Sequence, residues 1–129
     1  MSEVHLRGSN LDLGRVAVLG ATGAVGRETL SILNARGVPA GKVVALASAR
    51  SAGTAVPYGD DRLVVREALD AEFRGIDFAI LCATADASRR WAPVAQSFGA
   101  TVIDNSSAFR LRDDVPLIVP EVNGASIGP

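Results

Sequence analysis

The stretch "VAVLGATGAVGRETL" (Val16–Leu30) decides how this chain is read. Val16–Leu19 is a short apolar run that stops at Gly20, as a buried strand does. Gly20, Gly23 and Gly26 then recur every third residue. From Ala24 to Arg36, Val25, Thr29, Ile32 and Leu33 fall at i, i+4, i+7 and i+8, which predicts a helix with those residues on its core face. Gly37 and Pro39 end it. In a strand–turn–helix unit each glycine has a task. Gly20 permits a tight exit from the strand, Gly23 lets a phosphate approach the backbone, and Gly26 lets helix and strand pack closely. The start of such a helix offers unpaired N–H groups and a positive dipole end to a pyrophosphate.

The residues after the second strand indicate which nucleotide. Sites for NAD use an Asp or Glu roughly 20 residues beyond the glycines to hold the ribose 2′-OH. This chain has no acidic residue between Glu28 and Asp60. Where the acid is expected it has Ser48-Ala49-Arg50-Ser51. A guanidinium beside hydroxyls matches the oxygens of a 2′-phosphate, which an acid would repel. The expected cofactor is therefore NADP.

Working outward, "KVVALAS" (Lys42–Ser48) and "IDFAILCA" (Ile76–Ala83) read as two more buried strands, and "TVIDN" (Thr101–Asn105) as a fourth. "LIV" (Leu117–Val119) is a candidate fifth. "RSAGTAVPYGDD" (Arg50–Asp61) is rich in turn residues, and Arg62–Glu67 is a candidate minor strand. A helical pattern runs on to Phe98, with Ala87, Trp91, Val94, Ala95 and Phe98 on one face. Pro93 either kinks that helix or marks the start of its main part. Trp91 and Phe98 are read as core. Strands alternating with helices predict a single Rossmann-like α/β domain with a doubly wound parallel sheet. It is expected over residues 15–129, behind a polar leader at residues 1–14.

The chain has 129 residues, 48% of them hydrophobic, and a net charge of −1. That length supports one domain with a substantial core. No apolar run approaches the ~18 residues that span a bilayer, and no block of like charge suggests a nucleic-acid or membrane partner. One cysteine, Cys82, allows no intramolecular disulfide, and one histidine, His5, leaves no Cys/His metal cluster. The leader lacks the apolar core of a secretion signal, so a cytoplasmic location is expected.

Four blocks carry a more specific signal: "VAVLGATGAVGRETL", "LASARSAG" (Leu46–Gly53), "VIDNSSAFR" (Val102–Arg110) and "VPLIVPEVN" (Val115–Asn123). In this order and spacing, from Arg15 to Asn123, the chain resembles the bacterial aspartate-semialdehyde dehydrogenases. N-acetyl-γ-glutamyl-phosphate reductases share the architecture, but "DNSSAFR" and "PEVN" look more like the former. The resemblance implies an NADP-dependent oxidoreductase of lysine, threonine and methionine biosynthesis. In the family a cysteine thiolate attacks β-aspartyl phosphate, phosphate leaves, and NADPH reduces the thioester to aspartate semialdehyde. The resemblance also implies roles for individual residues. Thr22, Gly23, Ala24 and Val25 match the pyrophosphate loop, flanked by Gly20 and Gly26. Arg50 and Ser51 match the 2′-phosphate contacts, Asn105 stands beside the nicotinamide, and Arg110 binds the substrate phosphate.

The chain departs from the family pattern in two places. Cys82-Ala83-Thr84-Ala85 stands where a glycine-containing turn is usual, so side chains crowd that wall of the cleft. The Asn-Pro-x-Cys-x-Thr block of the nucleophile does not occur, nor does the catalytic and dimerisation domain with its histidine base. Cys82 ends an apolar strand and is read as structural, not as a substitute nucleophile. The expectation is a cofactor-binding part of a homo-oligomeric enzyme, inactive alone and inclined to self-associate. A free-standing nucleotide-binding or regulatory module, or a structural remnant, is the alternative.

Overall fold

The computed structural model describes residues 13–105. Five strands form one parallel sheet: β1 (Val16–Leu19), β2 (Val43–Ala47), β5 (Arg66–Glu67), β6 (Phe78–Leu81) and β7 (Thr101–Asp104). Helix α1 (Ala24–Ala35) connects β1 to β2, and helix α2 (Ala85–Ser97) connects β6 to β7. A separate antiparallel hairpin pairs β3 (Ala55–Tyr58) with β4 (Asp61–Val64). The main sheet runs β5-β2-β1-β6-β7, so strand order reverses between β1 and β6. That is the doubly wound order, and the reversal opens a crevice at the carboxyl ends of β1 and β6.

β1 accounts for the apolar strands. Its four residues are all buried, and alternate ones enter different cores. Ala17 and Leu19 join Leu46, Ala79, Leu81, Phe73, Trp91 and Ala95 on the α2 side. Val16 and Val18 join Leu30, Leu33, Val38, Val43, Val56 and Tyr58 on the α1 side. A strand buried on both faces gains nothing from a polar residue at either parity, and so reads as an unbroken apolar run. On the α2 side Phe73 stacks on Trp91 with ring centroids 5.6 Å apart.

The buried face of α1 differs from the expected one. Gly26, Leu30 and Leu33 are buried, whereas Val25 and Ile32 are about half exposed. Both sets satisfy the i, i+4, i+7 spacing, so periodicity alone cannot separate them. Gly26 decides: a Cβ there would collide with the carbonyl oxygen of Gly20 and lie 2.9 Å from the Cα of Ala21. The helix therefore rolls its glycine onto the loop, which carries Val25 and Ile32 outward.

Three other expectations are corrected. The turn-rich stretch after Arg50 contains strand β3, where buried Val56 and Tyr58 flank exposed Pro57. The Tyr58 hydroxyl donates to the Val38 carbonyl oxygen at 2.5 Å. The candidate minor strand at Arg62–Glu67 is divided between two sheets, with buried Val65 at the junction. Its amide donates to Thr54 and its carbonyl accepts from Gly53. Phe98 is no core residue; it caps the carboxyl end of α2 at 37% exposure, while Ser88, Trp91, Ala92 and Ala95 form the buried face.

Pro93 lies inside α2, on its exposed side. The packing of Trp91, Ala92 and Ala95 outweighs the one helical hydrogen bond that proline forgoes. Leu13 packs against the α1-side core. Residues 1–12 of the expected leader, the candidate strand Leu117–Val119 and Arg110 lie outside the described residues.

Candidate nucleotide-binding site

The turn after β1 is built by backbone contacts to both neighbouring strands. Gly20 has φ +84°, a conformation that costs glycine little. The amides of Gly20 and Ala21 both donate to the Leu46 carbonyl oxygen on β2, at 2.9 and 3.1 Å. On the other flank, a Cβ at Gly20 would lie 2.6 Å from the carbonyl oxygen of Cys82, just past β6. The loop is thus wedged at the strand-order reversal.

Gly23 is the N-cap of α1, and no side chain caps the helix. Its amide donates back to Gly20 at 3.1 Å, and its carbonyl accepts from Arg27 at 3.0 Å. The first turn contains no acid. The Gly23 amide is thus satisfied within the loop, and the amides that open the helix without an acceptor are those of exposed Ala24 and Val25. Such an end favours an anion. Thr22 is half-buried, and its carbonyl oxygen accepts from Nε of Arg27 at 3.2 Å.

Arg50 and Ser51 lie in the loop that follows β2. The Ser51 amide donates to Ser48, and its carbonyl oxygen accepts from both the amide and the hydroxyl of Thr54. Those bonds fold the loop into a compact turn with Arg50 exposed and forming no ion pair with another described residue. Asn105 follows β7, its amide anchored to the Leu81 carbonyl oxygen at 2.9 Å.

An open groove of about 360 Å³ joins Asn105 to Ala24 and Val25; Glu28, Thr29 and Ile32 complete its lining. The structure thus brings Asn105 together with the loop, while Arg50 and Ser51 stand on the far side of it. Three strand spacings, about 14 Å in all, separate the ends of β2 and β7. Glu28, Thr29 and Ile32 were missed from the sequence because the helical pattern assigned Thr29 and Ile32 to the core. Correct rotation of α1 about Gly26 would have found them.

Thr84 is the N-cap of α2, its hydroxyl accepting from the Ala87 amide at 3.2 Å. Asp86 stands in the first turn and pairs with Arg89 at 2.7 Å. This second helix start is closed by its own side chains, unlike α1. Cys82 is half-buried, with Sγ 3.5 Å from the Thr29 hydroxyl. Burial pushes its thiol above the ordinary range; the Thr29 hydrogen bond opposes this in part, and the Asp104 carboxylate adds a smaller upward push. A thiol kept protonated is a poor nucleophile. Among the described residues there is no histidine to deprotonate it, no cluster fit to hold a metal ion, and no helix long and apolar enough to cross a membrane.

Residues 15–128 match the family described as semialdehyde dehydrogenase, NAD binding domain. The chain is 44% identical over 109 residues to an aspartate-semialdehyde dehydrogenase of Synechocystis, covering 84% of this chain and 32% of that protein. It is 46% identical over 112 residues to the Bacillus subtilis protein of the same name, covering 87% and 32%. Among solved structures, aspartate semialdehyde dehydrogenase II from Vibrio cholerae, complexed with ASA, superposes with a TM-score of 0.81 at 38% identity, covering 88% of this chain and 37% of that one. The Candida albicans enzyme, solved with NADP, gives 0.69 at 25% identity, covering 88% and 35%. The chain spans about a third of the length of the curated relatives it matches.

Proposed function

The chain belongs to the semialdehyde dehydrogenase family through its NAD-binding domain, and on that premise we propose that it binds NADP(H) across the carboxyl edge of its sheet. The observation that carries this reading is the uncapped, acid-free start of α1 at the strand-order reversal. Gly20, Thr22, Gly23, Ala24, Val25 and Gly26 form the diphosphate cradle. Arg50 and Ser51, past β2, hold the 2′-phosphate with a charged fork and a hydroxyl. Asn105, past β7, stands beside the nicotinamide. Strand order β2-β1-β6-β7 thereby follows the order of the dinucleotide: adenosine end, diphosphate, nicotinamide. The Candida albicans relative solved with NADP supports the choice of cofactor.

The domain serves reductive dephosphorylation of β-aspartyl phosphate to aspartate semialdehyde, in the route to lysine, threonine and methionine. When bound, the cofactor supplies hydride to the acyl centre. This chain's residues orient it: the α1 amides hold the diphosphate, and the groove beside Asn105 fixes the position of the ring. Arg110 is assigned to the leaving phosphate, where a fixed cation stabilises developing charge. The nucleophile and base belong to a separate catalytic part of a homo-oligomeric enzyme, which acts in the cytoplasm.

Calorimetric titration with NADP, paired with the reverse assay of aspartate semialdehyde and phosphate, tests the reading. The purified chain should bind NADP and produce no NADPH. Absence of binding contradicts the cofactor assignment, and turnover contradicts the separation of the nucleophile from this chain.

A further inference from the structure

Arg27 stands near the start of α1, where helices favour acids because the amino end of the dipole is positive. Its Nε–H donates to the Thr22 carbonyl oxygen at 3.2 Å, so the side chain folds back onto the glycine loop. Its terminal amino groups have no partner among the described residues. On α2 the cation near the helix start, Arg89, is neutralised by Asp86, and Thr84 caps the helix. At α1 the open amides, the dipole and an unneutralised guanidinium all sit at one loop. Their mutual repulsion is relieved by an anion bound among them.

We propose that Arg27 binds the diphosphate of the dinucleotide, Nε holding the loop at Thr22 while the terminal amino groups donate to the diphosphate oxygens. The assignment rests on the dinucleotide reading above and adds a residue specific to it. The diphosphate is common to NADPH and NADH, whereas the 2′-phosphate belongs to NADPH alone. Arg27 therefore acts on both cofactors equally, and Arg50 on one. The side chain is exposed, so its replacement leaves the core packing intact.

Titration of the full chain with NADPH and with NADH, monitored by nicotinamide fluorescence, tests this. Arg27→Gln is expected to weaken both cofactors by the same factor, about tenfold for loss of one charge-assisted contact. Arg27→Lys should recover part of the loss by restoring charge without the fork. Rising salt should weaken the wild type more than Arg27→Gln. Unchanged affinity of Arg27→Gln for both cofactors overturns the proposal, as does a loss confined to NADPH, which would place Arg27 at the 2′-phosphate. Failure of the wild type to bind either cofactor overturns the dinucleotide reading, and the Arg27 assignment with it.

Discussion

The carbonyl oxygen of Gly20 occupies the space that a side chain at Gly26 would need. The obstructing atoms are backbone and cannot rotate aside. Gly26→Ala is therefore expected to destabilise the fold by about 2–3 kcal/mol, the upper part of the overpacking range. It should also weaken nucleotide binding by displacing the start of α1. Urea denaturation followed by circular dichroism reads the first effect, and cofactor titration at low temperature the second.

Arg50 offers the cleanest separation of cofactors. Removal of a charge-assisted contact to a 2′-phosphate costs about 1.5–3 kcal/mol, or roughly 10–150-fold in affinity. Arg50→Ala should lose that much for NADPH and nothing for NADH. An equal loss for both would move Arg50 away from the 2′-phosphate.

Ser88 is fully buried on α2, and its hydroxyl donates to Oδ1 of Asp104 at 3.0 Å, tying the helix to the end of β7. Ser88→Ala takes a donor from a half-buried carboxylate and should cost about 2 kcal/mol. Because Asn105 follows Asp104 directly, the variant should also loosen the groove beside α1. Chemical denaturation measures the cost, and amide exchange at Asn105 measures the loosening.

Cys82 should react slowly with thiol reagents in the folded chain and quickly once urea unfolds it, because burial holds its proton. The same shift sets a pH dependence. The folded thiol binds its proton more tightly than the unfolded one, so its contribution to stability is complete below the ordinary value of 9.0. It is lost as pH rises through the higher folded value. Burial raises the Tyr58 phenol too, and it acts in the same direction from its ordinary 10.0 upward. Cys82→Ala and Tyr58→Phe should each flatten the alkaline fall in stability, measured by denaturation at pH 8 to 11.

What could be read from the sequence follows from how each element is held. β1 and β2 are buried on both sides, and β6 packs into both cores with Phe78 and Ile80 partly buried, which leaves apolar runs at all three strands. β3 hides among turn residues because Pro57 and Gly59 interrupt an alternation only two buried residues long. The rotation of α1 depends on a glycine, which carries no hydropathy signal and acts through the Gly20 backbone far more than through its own surface. Arg50 could be singled out by the absence of acids around it. Arg27 could not, because its position matters only once the helix start is known to be uncapped and its side chain folded onto Thr22.

In the proposed function the glycine loop and the Arg50 turn together form an NADP site. Parallel titrations of the unmodified chain with NADPH and NADH, followed by nicotinamide fluorescence, test it most directly. NADPH should bind saturably and at least about tenfold tighter than NADH, the margin of one charge-assisted contact. Equal affinity for the two, or a preference for NADH, would contradict it.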